Sequence, residues 1–363
     1  MTSKSYITIC LNTNIVSNME KSILLDMYRM MLRSRLFEEA VTELWEQGKI
    51  SGEMHLGIGE EAVIAAVVSH LQDGDAIASD HRGTPPFLMR GIDPKALILE
   101  FLGDPKGLCS GQGGHMHLFS KEHLCASSGI VGAAGPAATG FALSMQYNKQ
   151  KNIAVAFFGE GAVNQGMLME SMNLASAWNL PVLFVCKDNE WAITTPSEEV
   201  TGGELLKRAE GFGLKSIELN GLDIEEMHEA LSGIIPNMRK NGDPHFILAH
   251  CVHKTGHFLG DPLMRFHGNF MEEFKEVSGP LMKSAAKRKG ASVGKRANNI
   301  GKVLGLIRRS GKQMKEKFDP IIILEKKIKD QKEELNNIKE EITLEIGAII
   351  DESLKLSNGG ILK

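Results

Sequence analysis

Cysteine is scarce in this chain. Its five cysteines, Cys10, Cys109, Cys125, Cys186 and Cys251, are odd in number, lie far apart and form no C-x-x-C pair. That excludes a disulfide framework and a zinc ribbon, and it suits a reducing cytoplasm. Long apolar runs are missing too, since none approaches the ~18 residues of a membrane span. The first 18 residues lack the basic start and apolar core of a secretion signal and read as a loose N-terminal extension. Net charge is only −4, from 41 basic and 45 acidic residues, so the chain as a whole is neither a nucleic-acid binder nor an acidic tail. No internal repeat, low-complexity tract or Gly-X-Y period is present.

What is present is an ordinary globular composition, 42% hydrophobic and 24% charged over 363 residues, enough for one or two domains with a sizeable core. The 38 glycines gather in short loops, where they suit close backbone contact with a phosphate or cofactor. Leu24, Tyr28, Met31, Leu32, Phe37, Val41, Leu44 and Trp45 recur at helical spacing and predict a helix over residues 19 to about 48. GEMHLGIGEEAVIAAVVSHL then reads as a glycine-punctuated loop feeding an apolar helix. Residues 74–95 read as a polar loop, 103–118 as too glycine-rich for a regular element, and GIVGAAGPAATGFALSMQY as a loop entering a helix of small residues. Three runs, NIAVAFF (152–158), PVLFVC (181–186) and HFILAHCV (245–252), are apolar without alternation and are separated by helical patterns. They predict an α/β fold, a parallel sheet flanked by helices on both sides. Leu335, Ile338, Ile342, Ile346, Ile349, Ile350 and Leu354 keep a three/four spacing and predict a C-terminal amphipathic helix.

The stretch FFGEGAVNQG…FVCKDNEW carries the clearest chemical signal. Glu160 follows the first of these strands and Asn189 the second, an interval that fits a strand, a crossover helix and a return strand. Both strand ends then open on the same edge of the sheet, bringing a carboxylate and an amide oxygen together. Both are hard oxygen donors of the kind Mg²⁺ takes when its other places go to phosphate and water. A dinucleotide fingerprint would need glycine at Asn164, and a P-loop would need lysine where Met167 stands. The residue types alone leave two readings open, a divalent-ion site or a plain glycine-rich βα turn.

GEGAVNQG…ESMNLASAWNLPVLFVCKDNEWAITTP resembles the thiamine-diphosphate motif of the alpha subunits of 2-oxo acid and acetoin dehydrogenase complexes. The resemblance extends to HLGIGEEAV (55–63), DHRG (80–83), GQGGHMHL (111–118), GIVGAAGPAATG (129–140), GHFLGDP (256–262) and the Asp-Pro pair at 319–320. It implies a thiamine-diphosphate-binding fold with a C-terminal helical extension. It also implies that Glu160, Asn189 and the carbonyl of Trp191 bind the metal, and that His81 and Arg82 hold the diphosphate. Gly129 and Val131 would meet the aminopyrimidine ring, Gly159, Gly161 and Ala162 would line the cofactor, and His257 would act as a catalytic and cofactor-binding donor.

Several positions depart from the family pattern. Glu160 stands where most members have Asp, and Asp188 replaces an Asn, with its side chain expected to point away from the metal. Thr84 replaces a frequent His, Phe258 a Ser, Met264 a Tyr, and His115 is unusual, while His117 and Arg265 keep family positions. His250, Cys251, His253 and His257 look metal-like, but neighbouring strand residues face opposite ways, which argues against zinc.

The family supplies its activating glutamate from a separate beta subunit. The resemblance therefore implies an α2β2 heterotetramer, inactive without its partner, that passes an acyl unit to a lipoyl-bearing acyltransferase component. The implied substrates are pyruvate or acetoin. Glu160 and AITTP (192–196) keep a branched-chain 2-oxo acid open, and the departures keep open a cofactor-binding subunit without dehydrogenase activity. The chain divides into an extension (1–18), the α/β domain (19–268), a basic helical insertion (269–318) and a C-terminal helical segment (319–363). Between Lys275 and Lys317 stand 13 basic residues against two acidic ones, with no aromatic residue among them. That reads as a solvated insertion or as an electrostatic dock for an acidic lipoyl domain, not as a nucleic-acid site. No nucleic-acid or membrane partner is expected, and the expected location is cytoplasmic.

Overall fold

The computed structural model describes residues 20–261 and 315–357, together with 301–302, 305–307, 309 and 311. The chain opens with α1 (Lys21–Glu46), α2 (Glu61–Val68), β1 (Ala76–Ser79), α3 (Thr84–Met89) and α4 (Pro94–Phe101). Next come β2 (Phe119–Ser120), β3 (Cys125–Ser127), α5 (Ala134–Tyr147), β4 (Ala154–Gly159), α6 (Gly166–Ala177) and β5 (Val182–Asp188). A small hairpin, β6 (Trp191–Ala192) with β7 (Thr195–Pro196), leads into α7 (Ser197–Val200) and α8 (Leu205–Gly211). Then follow β8 (Lys215–Leu219), α9 (Ile224–Asn241), β9 (His245–His250), α10 (Pro320–Lys327) and α11 (Lys332–Leu356).

Seven strands form one sheet in the order β2-β3-β1-β4-β5-β9-β8. Every neighbouring pair is parallel except β2 with β3. The central strands are apolar along most of their length because helices cover both faces, as the unbroken runs predict. In β4, Val155 and Phe157 enter one core with Ile77, Leu183 and Ile247, beneath α1, α2, α9, α10 and α11. Ala154, Ala156 and Phe158 enter the other with Val182, Phe184 and Phe246, beneath α5 and α6. The period-two direction of strand side chains thus divides one sequence between two layers. No described helix is long and apolar enough to cross a membrane.

Two elements differ from the sequence expectation. The supposed polar loop at 74–95 holds β1 and α3. The four residues of β1 are fully buried between β3 and β4, a run too short to stand out between flanking aspartates. Pro85 and Pro86 sit in the first turn of α3, where a missing N–H costs nothing. Strand β8, at the sheet edge, escaped notice because its residues are mostly exposed and mixed in polarity. The expected extension at 1–18 and most of the basic insertion at 269–318 lie outside the described residues.

The C-terminal helices return to α1. Leu335, Ile338, Ile342, Ile346 and Ile349 of α11 are buried, and Arg29 and Arg33 of α1 pair with Glu341 and Glu345. The anchor is Asp319. It caps α10 by accepting from the Ile321 N–H at 3.1 Å, and it pairs with Arg35 at 3.0 Å and Lys254 at 2.8 Å. Burial alone would raise the carboxyl of Asp319, but Arg35 and Lys254 hold it below its ordinary value. A group depressed in the fold stabilises above its unfolded pKa, about 3.9, and loses that contribution as pH falls through the folded value. Asp319→Asn should therefore cost about 3 kcal/mol at pH 7 in urea denaturation, with the gap closing toward pH 3. An equal loss at both pH values would contradict this origin.

Candidate functional site

Strands β4 and β5 run in parallel register, with Gly159 beside Lys187, and they end on the same edge. Glu160 opens the turn after β4 and Asn189 the loop after β5, both buried. The backbone N–H of Asn189 and the Ser197 hydroxyl donate to the two oxygens of Glu160, at 3.4 and 2.5 Å. The Asn189 side-chain oxygen accepts from the Trp191 N–H at 2.8 Å. Burial, and then the charge of Asp188, push Glu160 up to about 8. Among the described residues no cationic side chain pairs with it. A buried carboxyl beside a second carboxyl, with hard oxygens around it, is a place that a divalent cation would complete.

Asp188 turns away from this point, as expected. It accepts from the Glu190 N–H at 2.8 Å and faces His250 at 3.3 Å. Glu218, 2.6 Å from the other ring nitrogen, completes that arrangement. Burial opposes protonation of His250, but the two carboxylates prevail and raise it to about 9. His250 therefore leaves the metal-like cluster of the sequence, and the fold divides the rest, placing Cys251 and His253 with Glu60, and His257 with His55 and His81.

The two strand ends border a cavity of about 420 Å³. The residues to which the resemblance assigns a metal, cofactor or catalytic role line it: His81, Arg82, Gly129, Val131, Gly159, Glu160, Gly161, Ala162, Asn189, Trp191 and His257. Its walls are close where the glycines stand. A Cβ on Gly161 would lie 3.2 Å from that of Ala192, and one on Gly129 would lie 3.1 Å from the sulfur of Met116.

Opposite the carboxylate end is a nitrogen-rich end. Arg82 is fully buried and donates to the carbonyls of Leu56 and His257, the latter at 2.8 Å. The rings of His55, His81 and His257 surround one another, with centroids 4.6 to 5.3 Å apart. His115 stacks on His55, and its Nε2 accepts from the His55 backbone N–H at 3.1 Å, which leaves the proton on Nδ1. Burial, reinforced by the charge of Arg82, lowers His55 and His257 to about 3 and His81 to about 2. The rings are thus neutral near pH 7. The buried Nε2 of His81 has no partner among the described residues. A fixed guanidinium with neutral imidazoles favours an anion over the metal that three imidazoles alone would suit.

Sequence reasoning missed what holds this edge together. The ammonium of Lys187 lies 2.7 Å from Glu60 and 3.1 Å from Asp80. The other oxygen of Glu60 lies 2.7 Å from His253 and 3.8 Å from Arg82. His253 in turn meets the Asn189 amide. Burial would strip the proton from Lys187, but Asp80 and Glu60 keep it charged. A signal was present in the sequence, since Lys187 directly follows the apolar run of β5 and a buried lysine needs a partner.

Removing one member of a buried pair strands the other. Lys187→Met should cost about 3 kcal/mol in urea denaturation, and adding Glu60→Gln should recover part of that loss. Fully additive costs would show that the two charges do not depend on each other.

With this geometry in place, the relatives can be compared. A family model described as dehydrogenase E1 component matches residues 28–291. The chain is 40% identical over 237 residues to the alpha subunit of acetoin:2,6-dichlorophenolindophenol oxidoreductase from Bacillus subtilis, spanning 65% of this chain and 71% of that one. The corresponding Cupriavidus necator subunit is 38% identical over 67% of this chain and 74% of its own. The alpha subunit of the pyruvate dehydrogenase E1 component from Rickettsia prowazekii is 36% identical over 69% of this chain and 77% of its own. A solved transketolase from Campylobacter jejuni gives a TM-score of 0.48 at 18% identity, across 64% of this chain and 38% of that one. The chain belongs to the dehydrogenase E1 component family.

Proposed function

We propose that this chain is the alpha subunit of a thiamine-diphosphate-dependent dehydrogenase that cleaves pyruvate or acetoin and hands the acyl unit to a lipoyl group. The observation that carries this reading is a cavity with two unsatisfied groups. Among the described residues the buried carboxyl of Glu160 pairs with no cation, and the buried Nε2 of His81, beside Arg82, meets no anion. Magnesium diphosphate supplies both. Glu160, Asn189 and the Trp191 carbonyl would hold Mg²⁺, and Arg82 with His81 would hold the diphosphate. Gly159, Gly161 and Ala162 let the cofactor come close, while Gly129 and Val131 would meet its aminopyrimidine ring.

When bound, thiamine diphosphate supplies the electron sink for breaking a bond next to a carbonyl. The protein's part is placement. His257 is neutral at working pH and sits against His55 and Arg82, so it can donate or accept a hydrogen bond in the cavity without adding charge. The four described cysteines are free thiols, in keeping with a cytoplasmic setting.

The mouth itself is apolar. Ile130, Val131 and Ile193 are 61%, 53% and 56% exposed where they border the cavity. Such residues mark a surface that a partner covers. In this reading a beta subunit covers it in an α2β2 assembly and completes the site. The named relatives act on acetoin or pyruvate, which supports those substrates over branched-chain 2-oxo acids.

Co-expressed with its beta-type partner, the chain should reduce an artificial electron acceptor with acetoin or pyruvate, dependent on thiamine diphosphate and Mg²⁺. The chain alone should be inactive, and turnover without a partner would overturn the shared-site reading. Glu160→Ala and Asn189→Ala should each lower turnover at limiting Mg²⁺ by roughly 100-fold, since even outer-shell changes at metal sites cost 10–100-fold. Turnover unchanged in either variant would remove that residue from the metal set.

A further inference from the structure

The loop after β5 is strained, and it is loaded with functional side chains. Glu190 and Ile193 adopt left-handed backbone conformations, at φ 65° and 58°. Non-glycine residues stay there only when their surroundings hold them. Between and beside them lie Asn189, Trp191 and Ala192, which line the cavity, and Ser197, which donates to Glu160. The far end of the loop is tied down by Arg208, whose guanidinium donates to the carbonyls of Val163 and Gly202. The near end is tied through Asp188 to His250 and through Asn189 to His253, while the Glu190 carboxylate and the Trp191 ring project beyond those ties.

A residue from the basic stretch meets it. Arg309 reaches Glu190 at 3.2 Å and Glu198 at 2.6 Å, and its guanidinium carbon lies 5.7 Å from the centre of the Trp191 ring. Its planar fork can engage two carboxylates and an aromatic face at once, which a lysine cannot match. The same loop borders a second cavity of about 290 Å³ lined by Asp188, Glu190, Glu198, Glu204 and Glu218. With five carboxylates on its walls, that basin repels itself unless a cation enters it. Arg309 lines it too, as does His250, already held by Asp188 and Glu218.

We infer that Arg309 is a positioning residue of the site. It anchors the near half of the 188–201 loop through Glu190 and the Trp191 ring, and so holds Asn189 and Ser197 in place around Glu160. Arg309 thereby belongs to the active-site architecture rather than only to the surface. The effect on cofactor binding rests on the function proposed above, but the anchoring itself does not.

The test uses the full chain with Trp45→Phe and Trp178→Phe, which leaves Trp191 as the one tryptophan of the original three. Arg309→Ala should shift the Trp191 emission to the red and speed cleavage by a glutamate-specific protease at 190–199, with far-UV circular dichroism unchanged. Arg309→Lys should fall between. Glu190→Gln should reproduce the shift, and adding it to Arg309→Ala should change little more. In the assembled enzyme, Arg309→Ala should raise the half-saturating thiamine diphosphate concentration about tenfold while kcat moves less, a coupling usual within one charge network. Unchanged emission and cleavage would overturn the inference, as would altered emission with unaltered cofactor saturation. A parent enzyme that binds no thiamine diphosphate would instead sink the function, and emission and cleavage would still decide on Arg309.

Discussion

The whole C-terminal edge of the sheet is organised around one buried ammonium, that of Lys187. It stands one residue before the end of β5, and it draws in Glu60 from just before α2 and Asp80 from just after β1. Glu60 then holds His253 after β9 and lies near Arg82. Four loops that are remote in the sequence are thus bound to one point. Burial makes each charge intolerable alone, so the group forms together or not at all. Arg82 and Asn189 take their orientation from this knot.

The cavity in front of the knot is polarised. Its acidic end is a carboxyl with no cationic side chain paired to it among the described residues, and its other end holds a guanidinium with imidazoles that burial keeps neutral. Neutral rings matter here, because they can donate to an anion without adding charge that Arg82 would resist. The departures from the family pattern fit around this arrangement. Asp188 turns to His250 and stays out of the cavity while still raising Glu160. Thr84 is buried at the start of α3, and the ring of Phe258 packs near His55 and His257.

The parts legible in the sequence were those fixed by local order. Strands β4, β5 and β9 announced themselves because both faces are buried, and α1 and α11 because one face is. Glu160 and Asn189 were legible because each directly follows a strand, so topology alone brings them together. The strand β1 was too short to show, and β8 too exposed. The charge knot was illegible for a different reason. Residues 60, 80, 82, 187 and 253 share no spacing, and only the folded sheet edge makes them neighbours. The pairing of His115 with His55, 60 positions apart, was hidden in the same way.

The most direct measurement is calorimetric titration of thiamine diphosphate into the assembled alpha–beta enzyme, with Mg²⁺ and again with the metal chelated. Expected is one cofactor per alpha chain, with affinity falling by roughly 100-fold or more when the metal is removed. Binding of equal strength with and without metal would contradict the assignment of the carboxylate end to a cation, and with it the two-ended cavity.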